Sequence, residues 1–244
     1  MLINFKSILK IVNIKGIIHV GAHELEELPF YLGENIKNII WIEANPGKYE
    51  LIENKIKIYK NMILGKFAAS DRIGEAKLNI SNNGLSSSLL ELGTHAEDYP
   101  DIFYNSKTNV RTDTLDNWLN KNMISKEKYN FINLDIQGFE YIALNGMREQ
   151  LDYADYIYLE VNFKEVYKGC HKLKDIDSLL NKFKFSRVAI KRTNAGWGDA
   201  LYVKRFILIN KIYYNFLFQI EFLFNLPKRI ILKIIKLIQI ILKK

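Results

Sequence analysis

The sequence predicts an open, mostly parallel α/β sheet. Three observations carry this expectation. Short apolar strands alternate with helix-forming stretches along most of the chain. Several strands stop at a glycine or an acid, at the carboxyl edge where such sheets place ligands. Two late apolar runs flank "TNAGWG", a hairpin signal, so one late strand runs antiparallel.

The elements follow in order. "IIHV" (Ile17–Val20) is a short strand that turns at Gly21. Glu24–Ile36 suits a helix, which Pro29 forces to start late or to kink. Asn38–Glu43 is a second strand, closed by Pro46, and Lys48–Asn54 a short helix. "MILGKFAASD" reads as one third strand ending at Ser70 and Asp71. "GEAKLNIS" (Gly74–Ser81) alternates and adds an extra strand. Residues 82–107 are polar and read as a long loop, which points to function or mobility. "VRTDTLDNWLNK" holds a strand and a helix capped within Thr112–Thr114. "YNFINLDIQGFE" is a fourth main strand ending at Asp135, followed by a helix over Gly138–Gln150. "DYIYLEVN" is a fifth, ending at Glu160 or Val161, followed by a helix over Asp175–Phe183. Tyr153, Tyr156 and Tyr158 fit strand packing better than base stacking.

At 244 residues the chain suits one domain, residues 1–204, with a tail from 205 to 244. Its single cysteine, Cys170, excludes an internal disulfide and fits a reducing, cytoplasmic setting. "MLINFKSILKIVN" lacks the apolar core and cleavage site of a secretory signal. The net charge of +8 invites a nucleic-acid reading, but its distribution opposes one. Six basic residues and no acid lie between Lys228 and Lys244, which leaves the body at +2.

The chemistry gathers at the strand ends. Glu43 follows Gly21 by 22 positions, close to the spacing of a ribose-binding acid past a glycine loop. The second and third glycines of a dinucleotide fingerprint are absent, and those serve the close approach of a pyrophosphate. A ligand with ribose but no pyrophosphate fits better, and S-adenosylmethionine is one. The bland alternative is that Gly21 only makes a tight turn and Glu43 is solvated.

"IIHVGAHELEE", "WIEANP", "AASDRIGEAKL", "SSSLL", "TLDNWL", "INLDIQGFEYIALNGM" and "DALYVK" stand in order from Gly16 to Lys204. Together they resemble the FkbM-type S-adenosylmethionine-dependent methyltransferases. The resemblance implies a Rossmann-like class I methyltransferase fold with a seven-stranded sheet and helices on both faces. It implies O-methylation of a sugar or other secondary-metabolite hydroxyl. By match, Val20, Gly21, Ala22, His23, Glu43, Ala44, Ser70, Asp71 and Asp135 surround the cofactor. Two positions depart from the pattern. Leu25 stands near an expected second glycine, and Gln137 stands where glutamate is common between the aspartate and the glycine.

A sulfonium methyl is already activated, so the enzyme has to align three atoms and remove the hydroxyl proton. Asp135 is the first candidate for base or acceptor positioner, followed by His23 and Glu160. Each has a plainer role available: Asp135 orienting the cofactor's amino group, His23 bonding backbone at a helix start, Glu160 paired with Lys164 or Arg192. Ser87, Ser88, Gln137, Glu140 and Trp197 are candidate acceptor contacts. Ser86–Ser88 would sit in a lid or an ordinary loop, and Trp197 would cover the acceptor or close the hairpin. Asp135, Glu140 and Glu160 offer oxygen ligands, but no metal-ligand spacing is present and no metal is expected. His95, His171 and Cys170 are isolated, which disfavours a cysteine nucleophile.

The tail is different in kind. In "PKRIILKIIKLIQIILKK" a proline starts a helix whose basic residues share one face and whose Ile and Leu share the other. This suits an interfacial helix on anionic lipid at the inner membrane face. Residues 206–226 are apolar, but Lys211 and Glu221 disfavour a spanning helix. Packing on the domain or on a second copy in a homo-oligomer is the alternative. The expected acceptor is a saccharide hydroxyl, on a glycan or lipid-linked saccharide. The alternatives are a small metabolite, a peptide, or a catalytically degenerate membrane-binding module. Nucleic acid is not an expected partner, because the strand ends are acidic.

Overall fold

The computed structural model describes residues 2–4, 7–9 and 12–205. The helical tail expected over 206–244 lies outside them. The seven-stranded sheet is built from β1 (Ile17–Val20), β2 (Ile39–Glu43), β3 (Met62–Lys66), β7 (Phe131–Leu134), β8 (Tyr156–Asn162), β9 (Phe185–Arg192) and β10 (Trp197–Lys204). Their order is β3-β2-β1-β7-β8-β10-β9. The first five run parallel, and β10 is antiparallel to both β8 and β9. The strand order reverses between β1 and β7, and this switch point opens the crevice where α/β sheets bind ligands.

Alternation sorts the side chains to two faces. Ile18, Val20, Ile40, Ile42, Ile132, Leu134, Ile157 and Leu159 pack under α4 (Leu115–Lys121), α5 (Glu140–Asn145), α6 (Arg148–Tyr153) and α7 (Leu173–Lys182). Ile17, Ile39, Trp41, Phe131, Tyr156 and Tyr158 pack under α1 (Leu28–Gly33) and α2 (Tyr49–Ile56). Helices therefore cover both faces, and the parallel strands β1, β2, β7 and β8 are buried along their whole length, as a doubly covered sheet requires, while the edge strand β3 is partly exposed at Ile63. Thr114 caps α4, its Oγ1 accepting from the Asn117 amide at 3.1 Å.

Four expected elements differ. The third strand is two. After β3 the chain leaves the main sheet at Phe67, and β4 (Ala68–Ala69) joins a three-stranded sheet with β6 (Tyr104–Asp113) and β5 (Gly74–Ser81). Phe67 is fully buried, and its ring occupies the space that a side chain at Gly65 would need. The long polar loop is shorter than expected, because β6 begins at Tyr104 and pairs antiparallel with β5. A four-residue helix, α3 (His95–Asp98), also forms within that loop. The first helix is only α1, starting at Leu28 with Pro29 in its first turn, where a missing N–H costs nothing. The helix expected over 138–150 is α5 and α6, broken at Gly146. A Cβ at Gly146 would lie 1.8 Å from the Ser70 carbonyl oxygen.

Register sets the acids in a row. Asp135 follows Leu134, which pairs with Leu159, so Asp135 lies beside Glu160. Glu160 in turn pairs with Asp199 of β10.

Candidate active site

The loop after β1 is built from left-handed residues. Gly21 has φ +91°, and a Cβ there would fall 1.9 Å from the Asp135 carbonyl oxygen, so only glycine fits. The Gly21 and Ala22 amides donate to the Ile42 carbonyl. His23 (φ +43°) and Leu25 (φ +64°) continue the turn. Leu25 thus takes the conformation a glycine would take, and its side chain is 3% exposed in the core.

Glu43 closes β2 and faces this loop. Its two carboxylate oxygens accept from the His23 amide at 2.8 Å and the Asn45 amide at 2.7 Å. It is 8% exposed. Burial pushes its carboxyl above the usual range, and the Asn45 and His23 amides oppose that rise. A carboxylate offers about four acceptor sites, and these two amides fill two of them.

These groups line one cleft of about 660 Å³, counting the part open to solvent. Val20, Gly21, His23, Glu43, Ala44 and Asp135 form its floor, and Ser87, Ser88 and Gln137 a side. Phe67, Ala68, Ala69 and Leu78 supply an apolar wall. Ser70 and Asp71 are not among the lining residues. Ser70 is buried with its amide on the Asp113 carbonyl, and Asp71 pairs with Arg72 at the surface. Phe67–Ala69 are not legible in the sequence as site residues, because "MILGKFAASD" reads as one continuous strand, which hides the switch between sheets. Ala22 is buried behind the floor.

Asp135 is exposed where it opens onto the cleft, and Gln137 and the end of β8 lie against it on the inner side. The hydration it loses to these neighbours raises its carboxyl, against the Gln137 amide. Gln137 Nε2 donates to Asp135 Oδ1 at 2.7 Å and to Glu160 Oε2 at 3.3 Å. Glu160 lies behind them, 7% exposed. Burial, then the charges of Asp135, Glu140 and Asp199, push it well above the carboxylate range. Neither expected cation reaches it: Lys164 pairs with Asp98 and Arg192 lies over Phe163. Glu140 does not line the cleft. Its Oε1 accepts from the Ile136 and Gly138 amides at 3.0 and 3.1 Å, clamping the loop after β7. Burial raises it to about 7. Trp197 also lies outside the lining. Its carbonyl accepts from the Thr193 amide and hydroxyl, both at 2.8 Å, which closes the hairpin.

The His23 ring bonds Glu26 through Nδ1 at 2.6 Å, and its buried Nε2 has no hydrogen-bond partner. The hydroxyl of Ser88 donates to the Gln137 carbonyl at 2.7 Å, tying the 82–88 loop to the loop after β7. Among the described residues no group of three or more His, Cys, Asp or Glu is arranged to hold a metal ion.

An adenosyl group suits this donor set: a carboxylate with free acceptor sites, an apolar slot for a flat base, and an orphan imidazole nitrogen beside a glycine cradle. The methyltransferase FkbM domain model matches residues 19–187. The chain belongs to the FkbM methyltransferase family. Like its family, this FkbM methyltransferase depends on S-adenosylmethionine. It is 30% identical over 175 residues to the 2-O-methyltransferase NoeI of Sinorhizobium fredii, covering 68% of this chain and 71% of that protein. Solved structures similar to it include magnesium protoporphyrin IX methyltransferase (ChlM) from Synechocystis PCC 6803 with bound SAM. That match has TM-score 0.45 and 11% identity, over 83% of this chain and 77% of that one. The methyltransferase domain of bacterial CtHen1-C matches at TM-score 0.45 and 12% identity, over 83% and 96%.

Proposed function

We propose that this FkbM methyltransferase methylates a hydroxyl of a saccharide, with Asp135 accepting the hydroxyl's hydrogen bond. The observation that carries the reading is Asp135 opening onto the same cleft floor as Gly21 and Glu43. The relative named a 2-O-methyltransferase supports oxygen as the methylated atom. When bound, S-adenosylmethionine supplies a sulfonium-activated methyl group. Glu43 would hold the ribose hydroxyls through the acceptor sites that His23 and Asn45 leave free. Gly21–His23 would receive the amino-acid end, and Phe67, Ala68 and Leu78 the base. Asp135 orients the acceptor oxygen and takes its proton as the new bond forms, so the oxygen attacks without becoming a free alkoxide. The basic, aliphatic residues 227–244 would hold the enzyme at an anionic membrane surface, near a lipid-linked acceptor.

The test is titration calorimetry with S-adenosylmethionine and S-adenosylhomocysteine, wild type beside Glu43→Ala. Micromolar binding that weakens about tenfold or more in the variant is expected, as for a lost hydrogen bond to a charged group. No binding by the folded wild type would remove the cleft as a cofactor site.

A further inference from the structure

The Gln137 carboxamide occupies an unusual place. It sits between two carboxyls and donates to both from one nitrogen. Were it turned over, its oxygen would face two carboxyl oxygens and repel them. Something has to hold the amide the right way round. Tyr167 does so: its hydroxyl donates to Gln137 Oε1 at 2.5 Å. The Tyr167 ring is buried against Gly138, where a Cβ would lie 2.8 Å from it, and its backbone bridges to Leu92. The Gln137 backbone is fixed as well, at φ +57°, with its carbonyl on Ser88.

We propose that Tyr167 is a positioning residue that locks the Gln137 carboxamide with its NH2 toward Asp135 and Glu160, and so keeps Asp135 ionised and aimed into the cleft. The inference rests on the reading of Asp135 as the acceptor of the hydroxyl's hydrogen bond. Two adjacent carboxyls cannot both ionise cheaply. A fixed donor between them stabilises charge on the one that reaches the cleft, while the buried one keeps its proton. A carboxylate at 137 would bring a third acid to the same place. Tyr167 touches neither acid's reacting oxygen in this arrangement; it acts through Gln137. The other ionisable groups acting on the pair are Glu140 of α5, Asp199 of β10, Tyr158 of β8, His19 of β1 and Glu27 ahead of α1.

Carbon-13 NMR of the full chain labelled at Asp and Glu carboxyls tests this, with the Asp135 signal assigned by its loss in Asp135→Asn. Tyr167→Phe keeps the ring and removes the donor. The Asp135 titration is expected to move up by about one pH unit. Gln137→Leu should produce the same shift, and the double variant Y167F/Q137L no more than Gln137→Leu alone, because the two groups act as one unit. A titration unchanged in Tyr167→Phe, or shifts that add in the double variant, would overturn the proposal. If Tyr167→Phe fails to fold, Gln137→Leu with Tyr167→4-aminophenylalanine decides. The aminophenyl ring keeps a donor in place and should titrate like wild type; a shift there, or none in Gln137→Leu, rejects the idea. S-adenosylhomocysteine calorimetry on the same samples separates the failures. A wild type that does not bind ends the proposed function, whereas the carboxyl titration alone judges Tyr167.

Discussion

A leucine at φ +64° carries a backbone cost of roughly 1–2 kcal/mol that a glycine would not. Leu25 more than offsets it, because burying a leucine side chain is worth roughly 1.5–3 kcal/mol and emptying its site costs more. Leu25→Gly, although it matches the family pattern, is therefore expected to lower stability by about 2 kcal/mol in urea unfolding. Asp135→Asn should leave S-adenosylhomocysteine affinity near wild type and cut turnover about 100-fold, the low end for a lost proton acceptor. Normal turnover would remove Asp135 from the chemistry. Glu140 makes a pH prediction. Its carboxyl is raised from about 4.5 to about 7 in the fold, so the folded state binds that proton more tightly than the unfolded chain. The stability this contributes is whole below pH 4.5 and is lost as pH rises through 7. Glu140→Gln should flatten that fall and keep an acceptor for the Ile136 and Gly138 amides. Part of the slope should remain, since Glu43, Asp135 and Glu160 are shifted the same way. An unchanged pH–stability curve would contradict the assignment.

At the scale of elements, breaks matter as much as strands. The split between α5 and α6 lets Gly146 receive the Ser70 backbone, and its carbonyl accepts from the Asp116 amide. Gly146→Ala should cost more than about 3 kcal/mol in unfolding experiments, because the clash is with backbone that cannot swing aside. A mild effect would mean the helices slide freely past β4. The turn from β3 to β4 is the second break. It moves Phe67–Ala69 out of the main sheet and makes them a wall of the cleft. The 82–88 loop is held over the opposite side by Ser88 on Gln137 and by Asn82 against Phe103.

For the whole molecule, the strand order puts the crossover between β1 and β7, and that gap is the cleft. Helices on both faces leave the carboxyl edge as the place for polar chemistry. Among the described residues no helix is long and apolar enough to cross a membrane. Residues 227–244 carry the membrane prediction. The full chain should sediment with vesicles rich in phosphatidylglycerol, and a chain lacking 227–244 should stay in the supernatant with its unfolding midpoint unchanged. Equal sedimentation of both would refute it.

The sequence by itself determined the alternating strands, the glycine turn, the acid at the end of β2 and the antiparallel hairpin. Each is written locally, in apolar runs, in Gly21 and its spacing to Glu43, and in the turn residues around Gly196. Only the tertiary structure decided what those acids touch. Phe67–Ala69 replaced Ser70 and Asp71 on the cleft wall because a strand's exchange of sheets depends on distant partners in β6. Glu140 became a loop clamp and Trp197 a hairpin closure because their partners come from the backbone they fold against. The Tyr167–Gln137 contact spans 30 positions. No local pattern encodes such a contact, since it exists only once β7, β8 and the segment after β8 have packed.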